Sequence, residues 1–246
     1  MNSILFPGQG SQVVGMGLEF YNNFEIVKKI FKEADDTLNY KISKLILEGP
    51  ENDLKLTQNT QPAILTVSYS IFSVLKKEFN FNNTKFFAGH SLGEYSALVC
   101  ADSLKFSDAL LLLYERGRSM QEAVPVGEGS MIAILGSNID EIKNLISKLK
   151  INGVCEIAND NAEGQIIISG DVKSINTFQK VLKNNKKKFV SLNVSAPFHC
   201  SLMKPAAIKM KDKIKLVNFS KPIFDIVCNV TAQPENNPEN IKKLLV

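Results

Sequence analysis

Residues 89–93 read Gly-His-Ser-Leu-Gly, set between an apolar extended run, Thr84–Ala88, and a helix-like run, Gly93–Ala101. A strand that turns at once into a helix around a serine is a severe constraint on a fold, because both flanking positions must lack a Cβ. A side chain at Gly89 or Gly93 would strike the neighbouring element while the serine takes up a strained backbone conformation. Ser91 then points its hydroxyl outward, and the amide of Leu92 sits at a helix N-terminus, where free N–H groups favour a developing oxyanion. The plain alternative is a tight packing turn with a capping serine.

A serine nucleophile needs a base, and the chain has two histidines, His90 and His199. Consecutive side chains leaving a strand diverge, so His90 is badly placed to take the Ser91 proton. His199 is the expected base. It follows an alternating run in which Val190, Leu192 and Val194 share one face, and Pro197 is expected to end that strand and leave the histidine on a loop before a helix from Cys200 to Lys215.

A third candidate lies in the helix expected over 107–123, with Ser107 as its cap and Asp108 in its first turn. Helical spacing puts Arg116 on the face of Ala109, Leu112, Leu113 and Met120, and Arg118 on the more polar side beside Tyr114, Glu115, Gln121 and Glu122. An inward guanidinium needs an anion, and its planar fork fits a carboxylate. A ligand carboxylate and an internal salt bridge satisfy that need equally well.

Glycine and proline at Pro125–Gly129 and Ser195–Pro197 mark the borders of an insertion. Between them the expected elements are a strand (131–135), a helix (140–149), strands (154–158 and 165–169), a helix (172–182) and a strand (189–194). This βαββαβ order predicts a ferredoxin-like α+β subdomain over 125–194, inserted into an α/β-hydrolase-like large domain made of 1–124 and 195–246.

With 246 residues, 44% of them hydrophobic, the chain can bury a substantial core. No stretch is long and apolar enough to cross a membrane, and no basic-then-apolar leader precedes Ile4. Cys100, Cys155, Cys200 and Cys228 lack metal-ligand or CxxC spacing, so reduced thiols, no metal and a cytoplasmic protein are expected. A net charge of +4 without an aromatic platform argues against nucleic acid. The basic cluster Lys183, Lys186, Lys187 and Lys188 is either a steering patch for an acidic partner or a solvated helix end.

Several separated motifs then appear in order: Phe6-Pro-Gly-Gln-Gly-Ser-Gln12, Thr60-Gln-Pro-Ala63, Gly89-His-Ser-Leu-Gly-Glu-Tyr-Ser-Ala97, Arg116-Gly-Arg-Ser-Met-Gln121, Gly129-Ser-Met131, Ile166–Gly170 and Ala196-Pro-Phe-His199. In this the sequence resembles the malonyl-CoA:acyl carrier protein transacylases of fatty acid synthesis and the related acyltransferase domains of polyketide synthases. The resemblance implies a malonyl group carried from CoA to the phosphopantetheine thiol of acyl carrier protein through a malonyl-Ser91 ester, with His199 as base. It further implies an oxyanion hole from the amides of Gln9 and Leu92, and a malonyl carboxylate bound by Arg116. Met120 and Phe198 complete the expected acyl-binding set, Phe198 resembling the bulky residue of malonyl-specific relatives; an aromatic packed under a loop is the plain reading of the same residue. No cofactor beyond the substrates is implied, and a monomer is expected. Family members continue past the point matching Val246, so the large domain is expected to be incompletely covered and the base less firmly oriented. A serine hydrolase, with Asp160 or Glu163 orienting His199, and a non-catalytic acyl-CoA or carrier-binding module are the competing readings.

Overall fold

The structure, a computed structural model, describes residues 2–246 except 80, 82, 126, 193 and 195. Val126 and Ser195, which belong to the two expected border segments, thus lie outside the described residues.

In chain order the elements are β1 (Asn2–Phe6), α1 (Leu18–Asn23), α2 (Glu25–Leu38), α3 (Ile42–Glu48), α4 (Glu51–Leu54), α5 (Thr57–Glu78), β2 (Thr84–Gly89), α6 (Gly93–Cys100), α7 (Phe106–Ala123), β3 (Gly129–Leu135), α8 (Ile139–Ser147), β4 (Cys155–Ala162), β5 (Gln165–Asp171), α9 (Val172–Asn184), β6 (Lys188–Ser191), a 3₁₀ turn (Ser201–Met203), α10 (Lys204–Lys215), β7 (Asp225–Val227), β8 (Pro234–Glu235) and α11 (Pro238–Leu244). They fall into two compact units, Met1–Arg118 with Lys209–Val246, and Ser119–Ile208.

The first unit is built on a sheet of order β1-β2-β7-β8. β1, β2 and β7 run parallel, with Phe6 opposite Gly89 and Ala88 opposite Val227, and β8 returns antiparallel. Parallel strands need covering on both faces, and the helices supply it. Every residue of α6 is buried, so the helix that follows Ser91 lies in the middle of this core. On α2 the buried residues Val27, Ile30, Phe31 and Ala34 recur at helical spacing, giving a single apolar stripe. Phe6, Phe72 and Phe87 meet edge to face at the strand level.

The second unit has the strand order β4-β5-β3-β6, all pairs antiparallel, with α8 and α9 as the intervening helices. This is the ferredoxin-like arrangement that the βαββαβ order predicts. Alternation separates the sheet's two faces. Ile132, Ile134, Ile166 and Ile168 pack with Ile142 of α8 and Ile175, Phe178 and Leu182 of α9. Met131, Ala133 and Ile167 face the other way, onto Met120, Val124, Ala196, Phe198, Met203 and Ala206. That second cluster explains why the unit is wider than the expected 125–194. Its apolar cover comes from the last turns of α7 and from the segment after β6, so those residues associate with this sheet rather than with the larger unit.

Element boundaries differ at several places. α7 begins at Phe106, and the Ala109 N–H already bonds the Lys105 carbonyl, so Ser107 lies inside the helix instead of capping it. β6 ends at Ser191, earlier than the expected 194. β4 extends to Ala162 through two irregularities in register.

Candidate active site

Ser91 stands between β2 and α6 with φ of 52°, in the left-handed region that a residue with a Cβ seldom occupies. The turn is closed by Gly93 N–H to the His90 carbonyl at 2.9 Å and Glu94 N–H to the Ser91 carbonyl at 3.1 Å. Both flanking glycines are obligatory. A Cβ on Gly89 would lie 1.9 Å from the Gly93 carbonyl carbon, and one on Gly93 would lie 2.6 Å from the Phe6 carbonyl oxygen. The loop after β1 is pressed against the same turn, since a Cβ on Gly8 would fall 2.5 Å from the His90 carbonyl oxygen. That close approach brings the Gln9 segment to the serine turn. Among the described residues neither the Gln9 nor the Leu92 backbone N–H donates to a protein acceptor, as the two donors of an oxyanion hole require.

Arg116 turns inward, as its position on α7 predicts. Its Nη2 donates to Ser91 Oγ at 3.1 Å and its Nη1 to Gln61 Oε1 at 2.8 Å. Gly117 makes this possible: a Cβ there would lie 2.5 Å from the Thr57 carbonyl oxygen, so α7 meets the start of α5 backbone to backbone. Gln61 in turn donates to Thr57 Oγ1 at 3.2 Å, and Thr57 Oγ1 donates to Gln9 Oε1 at 2.7 Å. One chain of side chains therefore links the Gln9 loop to the guanidinium beside Ser91. The internal salt bridge left open by the sequence does not form, because Arg116 has no carboxylate bonded to it among the described residues. Burial pulls its pKa below the ordinary value, partly countered by Tyr95, whose ring centroid is 5.9 Å from the guanidinium carbon, and by Glu94. Arg118 instead pairs with Glu115 at 3.0 Å on the exposed side.

In the second unit His199 sits on the loop before the 3₁₀ turn, half-buried, with φ of 59°. Its loop is anchored on both sides. A Cβ on Gly129 would fall 2.2 Å from Pro197 Cδ, so the start of β3 lies hard against that proline. Ser201 donates its N–H and its hydroxyl to the two oxygens of Glu156, each at 2.7 Å. Phe198 and Met120, the other expected acyl-binding residues, are buried in the cluster with Met131 and Met203. Asp160 and Glu163 are exposed. Within the basic cluster, Lys187 is bound by Glu141. The four cysteines are buried and unbridged, no metal-binding cluster occurs among the described residues, and no described helix is long and apolar enough to cross a membrane.

Sequence reasoning missed Gln61, Glu94 and Asn229. Asn229 accepts the Ser91 N–H at 2.9 Å and donates to the Gly89 carbonyl at 2.8 Å and to Glu94. Glu94 is buried, and burial raises its pKa above the ordinary carboxylate value against the hydrogen bonds from Asn229. The one local signal was Glu94 itself, an acid opening an otherwise apolar helix.

A family profile described as acyl transferase domain matches residues 4–243. The malonyl CoA-acyl carrier protein transacylase of Bacillus subtilis strain 168 is 43% identical over 246 residues, covering 99% of this chain and 77% of that protein. Among solved structures, the acyl-carrier-protein-S-malonyltransferase of Bartonella henselae superposes with a TM-score of 0.95 at 44% identity, over 100% of this chain and 79% of its own. A malonyl-transacylase solved in complex with its type II PKS acyl-carrier protein gives 0.94 at 38% identity, over 99% and 79%.

Proposed function

The chain belongs to the acyl transferase domain family, and from that footing we propose that it transfers a malonyl group from malonyl-CoA to the thiol of acyl carrier protein, supplying fatty acid synthesis. The observation that carries the reading is the Arg116 guanidinium, inward-facing, bonded to Ser91 Oγ and lacking a carboxylate partner among the described residues. A malonyl thioester whose carbonyl lies at Ser91 has its free carboxylate a few bonds away, within reach of that fork.

In this mechanism Ser91 Oγ attacks the thioester carbonyl while His199 takes its proton. The carbon–sulfur bond breaks, CoA departs as a thiol carrying that proton, and the malonyl group stays as a serine ester. The phosphopantetheine thiol then attacks the ester, giving its proton to His199, which returns it to Ser91 Oγ. The amides of Gln9 and Leu92 bind the oxyanion in both steps. The sequence needs no redox group and no metal. Acetyl is a poor substrate because it leaves the cation without its anion.

Intact-mass measurement after mixing with malonyl-CoA is expected to find a malonyl adduct that acyl carrier protein removes and that Ser91→Ala abolishes. Release of free malonate with no transfer to the carrier would overturn the reading in favour of a hydrolase.

A further inference from the structure

We infer that Asn229 and Glu94 are positioning residues for Ser91, a clamp that holds the serine turn in its left-handed conformation. The inference rests on Ser91 being the acylated nucleophile and adds what keeps it aimed.

β7 runs parallel to β2, and their last paired residues are Val227 and Ala88. Continued at the same register, the ladder brings residue 229 alongside residue 90, where β2 has already turned away. The Asn229 side chain replaces the missing rung. Its Oδ1 accepts the Ser91 N–H, and its Nδ2 donates to the Gly89 carbonyl, so one amide bridges the two peptides on either side of His90. Backbone N–H only donates and carbonyl only accepts, so these two partners fix which end of the amide is oxygen. Glu94 then receives both the Asn229 side-chain amide and its backbone N–H.

A non-glycine residue at positive φ costs about 1–3 kcal/mol and persists only where its surroundings enforce it. Gly93 N–H on the His90 carbonyl and His90 N–H on the Phe6 carbonyl hold one edge of each of the two peptides before Ser91, and the Asn229 amide holds the opposite edges, the Ser91 N–H and the Gly89 carbonyl. Relaxation there swings Ser91 Oγ and the Leu92 N–H together, losing nucleophile and oxyanion donor at once. Arg116, which would take the malonyl carboxylate, stands on a different helix, so substrate binding should survive loss of the clamp.

The test is the rate of malonyl-enzyme formation over a range of malonyl-CoA concentrations, with thermal melts alongside. Asn229→Ala is expected to lower the maximal loading rate about 100-fold with KM changed less than about threefold. Asn229→Asp, nearly isosteric, should lose about as much, since a carboxylate offers the Gly89 carbonyl no donor. Adding Glu94→Gln to Asn229→Asp removes the facing charges but leaves the Gly89 carbonyl without its donor, so the double variant is expected to stay within about threefold of Asn229→Asp. Loading by Asn229→Ala at the wild-type rate overturns the inference. So does loading by Asn229→Asp at the wild-type rate, and this nearly isosteric variant decides the matter if Asn229→Ala does not fold. Absence of any Ser91 adduct in the wild-type protein would instead sink the transferase reading itself.

Discussion

The two units differ in how far along the chain their defining contacts reach. The second is one continuous segment, 119–208, whose strand pairs reach no further along the chain than Ile132 with Ser191 and whose helices α8 and α9 cap themselves: Asp171 accepts the Ser174 N–H and Asn138 the Glu141 N–H. The first is assembled from two pieces, and its serine turn depends on an asparagine 138 residues away. Local chemistry builds the one, whereas the other acquires its site only when distant segments close on each other.

That difference is sharpest at glycine. Gly89→Ala in the first unit pushes a Cβ to 1.9 Å from backbone atoms that carry the serine turn. We expect destabilisation of at least about 3 kcal/mol and no detectable malonyl transfer. Gly164→Ala in the second unit has φ of 79° but nothing nearer than Gly136 Cα at 3.5 Å, so only the backbone term of about 1 kcal/mol remains. Urea melts of both variants check this pair, and equal costs would erase the contrast.

The next largest effect is one of specificity. Arg116→Ala is expected to reduce kcat/KM for malonyl transfer about 100- to 1000-fold, roughly 3–4 kcal/mol, while acetyl transfer changes far less. Assaying both acyl donors measures the difference directly, and equal losses would refute a role in binding the carboxylate.

Arg116 also shows what the sequence makes legible and what it hides. Its inward direction follows from helical spacing alone, because Ala109, Leu112, Leu113 and Met120 on the same face are buried. Its hydrogen-bond partner Gln61 is 55 residues away and is reached only because Gly117 lets two helices touch. The Gly-His-Ser-Leu-Gly turn was legible because its glycines constrain one another within five positions. The ferredoxin-like unit was legible because short apolar runs, such as Met131–Leu135 and Gln165–Ser169, alternate with helix-like segments in the order βαββαβ. Its borders were not, since Met120 and Met203 join a sheet whose strands lie elsewhere in the chain. Asn229 left no usable pattern, and Glu94 left only an acid opening an otherwise apolar helix. An exposed asparagine after a short strand and an acid in a helix's first turn are both ordinary, and only closure of the first unit brings them together.

The smallest expected effect tests the local side of the comparison. Asp171 caps α9 and also accepts the Val154 N–H at 2.6 Å, tying the helix start to the approach to β4. Burial pushes its carboxyl pKa upward, but the hydrogen bonds from Ser174 and Val154 outweigh this and leave it below the ordinary value of 3.8. A carboxyl whose pKa is lower in the folded state contributes stability that is complete above its unfolded pKa and lost as pH falls through the folded one. Asp171→Ala is therefore expected to cost about 1 kcal/mol at neutral pH, with the gap to wild type closing as the pH drops below the ordinary carboxylate value. Because the contacts are confined to residues 154–174, hydrogen exchange should quicken in α9 and β4 while the amides of α6 keep their protection. Quickening that spreads equally into α6 would mean that the second unit does not hold together on local contacts alone.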